Sequence, residues 1–236
     1  GQDMIAHSEE LFFTYFYGDT ESRLDRGLAP EPDRSRIPWV VERLRRSCAA
    51  VTPNLSFVAM TARQLDDLDG VLGDPEARYL HPDVLQMWRD GNPRHRPDLE
   101  RFTARERAKF PFLQELTRAL ARGGVPLLAG TDASAPGLFP GKSMHVELEE
   151  LVRAGLTPAQ ALAAATTSAS RFIQQHVRGA DPFGSVEPGQ RADLVLLGAN
   201  PLADIRNAAR ITGVVVRGRW LTAEAIGSMR RAYGSR

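Results

Sequence analysis

The sequence predicts an α/β fold, with a parallel layer of strands and helices up to about residue 180 joined to a small β-rich module. Three observations carry this. Strand-length apolar runs at 1–6, 49–55 and 125–130 alternate with stretches of helical periodicity, the pattern of parallel α/β architecture. After Gly184 the pattern changes to short β-rich runs between turn residues. Two of the early runs end in a residue able to do chemistry, His7 and Asp132, at the strand ends where parallel α/β folds carry their sites.

In order along the chain, Gly1 to Ala6 reads as a short buried strand ending at His7, and Ser8-Glu9-Glu10 resembles a helix start. Residues 18–38 mix Asp19, Glu21, Asp25, Glu31 and Asp33 with Gly27, Pro30 and Pro32, the composition of a surface loop or lid. Trp39, Val40, Leu44 and Cys48 stand at near-helical spacing, and Ala49 to Leu55 follows as the second strand. Residues 56–107 read as an insertion of short helices over a site, where Tyr79, His81 and Trp88 either line a pocket or simply pack. Phe112 to Arg122 is an amphipathic helix with Leu113, Leu116 and Leu120 on one stripe, ended by Gly123-Gly124. Val125 to Gly130 is the third strand.

A Gly/Pro-rich loop then leads to a helix at about 143–154, and Thr157-Pro158 supplies an N-cap with proline in the first turn of an alanine-rich packing helix. The runs 192–197 and 211–216 are the β-rich tail.

Composition excludes several classes. The 30 basic and 29 acidic residues of the 236 are interspersed, so no basic stripe offers itself to nucleic acid. No run reaches the roughly 20 apolar residues of a membrane span, so no membrane partner is expected. The single cysteine, Cys48, excludes an intramolecular disulfide and a cysteine-rich zinc site, and is expected as a small core residue. Any metal must be held by His and carboxylate.

A carboxylate at a strand end can ligate a divalent cation and also accept the proton of an activated water, which makes Asp132 the leading candidate, with turn capping as the alternative. His7 faces the same rim if the strands are parallel, or is a structural histidine.

Here the chain resembles the amidohydrolase superfamily, in its imidazolonepropionase-like and prolidase-like group. The resemblance rests on an ordered set: Ile5-Ala6-His7-Ser8-Glu9-Glu10, Val51-Thr52-Pro53-Asn54-Leu55 and Ala129-Gly130-Thr131-Asp132-Ala133-Ser134. It continues in His145-Val146-Glu147-Leu148, Leu151 to Pro158, Ala164-Ala165-Thr166, Gly184 to Gly189 and Ala192-Asp193-Leu194-Val195. It implies the C-terminal part of a (β/α)8 TIM barrel over 1–180, strands six to eight with the insertion at 56–107, and the C-terminal share of a β-sandwich over 181–236. It implies His7 and Asp132 as metal ligands, Asp132 also as the acid-base group, and one or two divalent ions, with zinc the expected metal. His145 is a candidate substrate-binding residue or a residue of the helix surface.

The sequence departs from the family at the His-x-His pair of the first strand, the lysine of the fourth and the histidine of the fifth. The five histidines are His7, His81, His95, His145 and His176, no two of them one residue apart. The chain is therefore expected to be the C-terminal portion of a metal-dependent hydrolase of carbon-nitrogen bonds (amide, cyclic amide or dipeptide), incomplete by itself and binding metal weakly. The alternative is a non-catalytic subunit or binding module that needs a separate N-terminal half, a homo-oligomer being a further possibility. A cytoplasmic location is favoured, with a signal peptide left open.

Overall fold

The structure is a computed structural model that describes residues 2–18, 20–28, 31–133 and 135–234. Gly1 of the opening run, Asp19 and Pro30 of the expected loop, and Ser134 of the strand-end motif lie outside the described residues. The chain divides into two compact units, Gly1–Gly155 and Leu156–Arg236.

In the first unit β1 (Met4–Ala6) and β2 (Ala50–Thr52) pair in parallel, with Ile5 opposite Val51. On the other side of β2, Leu127 makes one parallel bridge to Val51. The Val51 N–H donates to the Pro126 carbonyl at 2.9 Å, and the Leu128 N–H donates to the Val51 carbonyl at 3.0 Å. β2 is thus the middle of three parallel segments. The third is shorter than the expected strand 125–130, since Pro126 has no N–H to give to a ladder.

The helices of this unit are α1 (Ser8–Leu11), which runs on as a π-helical turn over Phe12–Phe16, α2 (Thr20–Asp25), α3 (Ile37–Ser47), α4 (Leu55–Asp66), α5 (Leu68–Leu72), α6 (Pro82–Asp90), α7 (Leu99–Arg122) and α8 (Lys142–Arg153). The 18–38 stretch is not loop throughout: it holds α2 and a 3-10 turn at Arg34–Arg36, whose first N–H groups are capped by Asp33, with Ser35 N–H at 3.1 Å from Oδ1. On α3 the buried stripe is Ile37, Val40 and Leu44. Trp39 and Cys48, expected on that stripe, are exposed. Trp39 is out of phase with it and meets Tyr15 edge to face instead, and Cys48 ends the helix in a left-handed conformation at φ 55°.

The amphipathic stretch 112–122 is the second half of a longer helix. α7 runs 24 residues through Pro111, whose ring removes one intrahelical donor and costs about 3 kcal/mol in a helix interior. Burial offsets this: Phe112, Leu113, Leu116 and Leu120 are fully buried, and Phe112 meets Phe12 and Phe16 at ring centroid distances of 5.6 and 4.8 Å. Each such side chain contributes roughly 1.5–3 kcal/mol.

The insertion forms its own small core. Leu72, Ala77 and Trp88 close on Phe139, with Trp88 edge-on to Phe139 at 5.3 Å. Trp88 is therefore a packing residue. His81 caps α6, its Nδ1 3.3 Å from the Asp83 N–H, and Tyr79 pairs with Arg78.

In the second unit α9 (Pro158–Ala165) starts with the expected proline turn, and Thr157 and Gln160 form a reciprocal capping box. α10 (Thr167–His176) packs on α9. β3 (Leu194–Leu197), β4 (Ile211–Val216) and β5 (Arg219–Thr222) form an antiparallel sheet in that order, followed by α11 (Ala223–Gly234). Gly213 on β4 makes room for the Trp220 indole of β5, which an added Cβ would meet at 1.9 Å. The chain passes from the first unit to the second between Gly155 and Leu156, so α9 and α10 group with the sheet. Among the described residues no helix is long and apolar enough to cross a membrane.

Candidate active site

The three parallel segments deliver three polar residues to one edge. β1 ends at His7 and β2 leads through Pro53 to Asn54. The third segment leads through Gly130 to Asp132. All three polar residues have positive φ: His7 67°, Asn54 53° and Asp132 53°. Asn and Asp tolerate this region better than most residues, but His7, with ψ 112°, lies outside even the left-handed well. Such conformations cost of order 1–3 kcal/mol each and cluster at functional sites.

Local bonds fix them. The His7 N–H donates to Thr52 Oγ1 at 3.2 Å, and Ser8 Oγ donates to the Pro53 carbonyl at 2.9 Å, so the turn after β1 is pinned to the end of β2. Continuing the Val51–Leu127 register by three residues puts Asn54 opposite Gly130, and a Cβ on Gly130 would come within 2.9 Å of Asn54 Oδ1. Glycine there leaves the notch that the Asn54 amide occupies.

His7 and Asp132, from the two outer segments, meet across the end of β2. His7 Nε2 stands 3.9 Å from Asp132 Oδ2, and the two side chains are 41% and 47% exposed. As an exposed ion pair this is worth little. As a donor pair it is an imidazole nitrogen beside a carboxylate oxygen, the set a divalent cation takes. Ligands about 2.0–2.1 Å from a tetrahedral zinc stand about 3.3 Å apart, so a shift of roughly half an ångström in two half-exposed side chains would let both reach one ion. Among the described residues no group of three or more His, Cys, Asp or Glu is placed to hold a metal.

The loop after Asp132 is anchored by the insertion. Gln64 of α4 donates to the Pro136 carbonyl at 2.9 Å, Lys142 pairs with Asp74, and Gly137 packs against Met60 and Val71. His145, the third predicted site residue, sits on α8 with a half-buried ring and no hydrogen bond from its buried Nδ1, and burial lowers its pKa. No bond or ion pair joins it to the His7–Asp132 pair.

Sequence reasoning gave no role to two residues near this edge, Asn54 and Glu147. Glu147 of α8 is fully buried. Its Oε2 accepts the Ser56 N–H at 2.7 Å, and burial raises its pKa to about 7, partly offset by that bond. The signal was its helical phase, since Ser143, Glu147 and Leu151 recur every four residues on the buried face.

Residues 102–221, just over half of the chain, match the model of the Amidohydrolase family. The chain belongs to the amidohydrolase family. It is 40% identical over 80 residues to the imidazolonepropionase of Geobacillus kaustophilus (strain HTA426), and 36% identical over 104 residues to that of Deinococcus deserti (strain DSM 17065 / CIP 109153 / LMG 22923 / VCD115). Those matches cover 34% and 39% of the chain and only 18% and 25% of the relatives.

Among solved structures the amidohydrolase chain is similar to bottromycin amidohydrolase, with TM-score 0.60 and 29% identity over 79% of this chain and 40% of that one. It also resembles a Xaa-Pro dipeptidase with methionine bound in its active site, at TM-score 0.53 and 19% identity, covering 78% of this chain and 37% of that one. Aspergillus niger ochratoxinase is similar at TM-score 0.54 and 20% identity, covering 94% and 37%. These likenesses give a TIM-barrel-type α/β fold. The chain spans well under half the length of each protein named here.

Proposed function

We propose that this amidohydrolase chain is the C-terminal part of a metal-dependent hydrolase of carbon-nitrogen bonds, contributing β1, β2 and the 125–130 segment as strands six to eight of a (β/α)8 barrel. The carrying observation is the approach of His7 and Asp132 across the end of β2. The names of the relatives support the reaction class: imidazolonepropionases and a Xaa-Pro dipeptidase both point to amide or cyclic amide substrates.

His7 Nε2 and Asp132 Oδ2 would hold a divalent cation, zinc in this reading. When bound, the cation supplies Lewis acidity, lowering the pKa of water and polarising a carbonyl. Asp132 accepts the proton of the attacking water and returns it to the departing nitrogen, so one carboxylate serves as base and then as acid. Thr52 keeps the His7 backbone in place through its hydroxyl. His145 is proposed to face the substrate, neutral at physiological pH because burial lowers its pKa. The remaining ligands come from a separate or preceding N-terminal half that completes the barrel, and 181–236 is the C-terminal share of a β-sandwich.

The test is hydrolysis of N-acyl amino acids and dipeptides with added zinc, by the chain alone, by the chain joined to an N-terminal half from a relative, and by the same pair carrying Asp132→Ala. Zinc-dependent turnover is expected from the joined protein and not from the other two. Undiminished turnover with Asp132→Ala overturns the reading.

A further inference from the structure

The start of α4 poses an unusual arrangement. Asparagine is among the best helix N-caps, its side-chain oxygen normally accepting an N–H of the first turn. Asn54 is the N-cap of α4, yet its side chain makes no capping bond. The residue is 5% exposed, and its Oδ1 has no hydrogen-bond partner. A buried acceptor left unbonded costs about 1–3 kcal/mol, so something must hold it away from the cap that would satisfy it.

Glu147 takes over the cap. Its carboxylate comes from α8, 91 residues away in sequence, and accepts the Ser56 N–H at 2.7 Å in the first turn of α4. A carboxylate there is favoured by the free N–H groups and by the helix dipole. With the first turn satisfied from outside, the Asn54 amide is free to lie in the Gly130 notch, in the middle row between the strands that end in His7 and Asp132.

We propose that Glu147 is a positioning residue: by capping α4 from α8 it frees Asn54 and holds that buried amide in the Gly130 notch, between the strands that end in His7 and Asp132. The bearing of that notch on catalysis rests on the hydrolase reading above. The coupling of Glu147 to Asn54 does not, and can be tested without turnover.

The groups facing Glu147 make the coupling readable by pH. From α4 it meets the uncharged Leu55 and Ser56. On α8, Glu150 adds a like charge and is itself held by Arg153 and by Gln114 of α7, which donates to it at 3.2 Å. Arg118 of α7 is committed to the Ala154 carbonyl at 2.8 Å. Ionisation of Glu147 therefore tightens its bond to Ser56.

The experiment follows the Asn54 side-chain amide and the Glu147 carboxyl carbon by NMR in the full chain from pH 5 to 9. The expected result is a step in both resonances with a shared midpoint at about pH 7. The Asn54 step disappears in Glu147→Gln. In Glu147→Leu the Asn54 amide shifts to a new, pH-independent position as it takes the vacated cap.

An Asn54 resonance that ignores both the Glu147 step and the Leu substitution overturns the proposal. Should the variants not fold, the wild-type chain decides it, because the two resonances must share one midpoint. Zinc binding indifferent to Asp132→Ala would sink the hydrolase reading and leave this coupling standing.

Discussion

The substitution Glu147→Gln tests how the buried carboxyl loads the fold. In the unfolded chain Glu147 titrates near its ordinary 4.5, and in the folded chain near 7. The folded state therefore holds this proton more tightly, so stability is highest below the unfolded value and falls as pH rises from about 4.5 to about 7. At 1.36 kcal/mol per unit the whole shift amounts to roughly 3 kcal/mol, of which roughly 2 to 3 kcal/mol is lost between pH 5 and pH 8.

Glutamine keeps an oxygen for the Ser56 N–H and has no charge to bury, so it removes this slope. The assay is urea unfolding at pH 5 and pH 8 in a Trp220→Phe background, where fluorescence comes from Trp39 and Trp88 of the first unit. The wild-type chain should lose roughly 2 to 3 kcal/mol more than the variant on going from pH 5 to pH 8. Equal losses in the two proteins would refute the burial argument.

Other substitutions probe separate parts of the account. Phe112→Ala empties the contact with Phe12 and Phe16 and should cost about 3–5 kcal/mol in urea unfolding of the first unit. Thr157→Ala removes one half of the α9 capping box and should cost about 1 kcal/mol, read as faster amide hydrogen exchange at Gln160 and Ala161. Gly213→Ala forces the Trp220 indole off β4. It should red-shift Trp220 emission and destabilise the sheet by about 1–3 kcal/mol, and an unchanged spectrum would count against the packing described.

The parts of this molecule legible in sequence are those with strong local signals. The three apolar runs, the Thr157-Pro158 start and the β-rich tail are set by periodicity and turn chemistry within a few residues of each other. Where the reading went astray, longer-range packing decided. Pro111 interrupts the local helical pattern, yet Phe112, Leu113 and Leu116 gain enough from burial to carry α7 through it. Trp39 and Cys48 fitted a helical stripe in spacing, but the core met a different face of α3.

The candidate site divides in the same way. His7 and Asp132 stood out because each ends an apolar run, and the ordered motifs tied them to one family. Their approach to 3.9 Å depends on β2 lying between their strands, which residue spacing alone does not state. Asn54 and Glu147 lie within those motifs but carry no local mark of a role. The reason is that the Glu147 bond to Ser56 spans 91 positions and has no local trace except the helical phase of Glu147.

The most direct test of the central claim is the zinc affinity of the full chain, measured by isothermal titration for the wild type, His7→Ala, Asp132→Ala and the double variant. If the two side chains serve one cation, each single substitution weakens zinc binding at least tenfold, and the double variant binds no more weakly than either single one. Zinc bound by Asp132→Ala or His7→Ala as tightly as by the wild type would contradict the account.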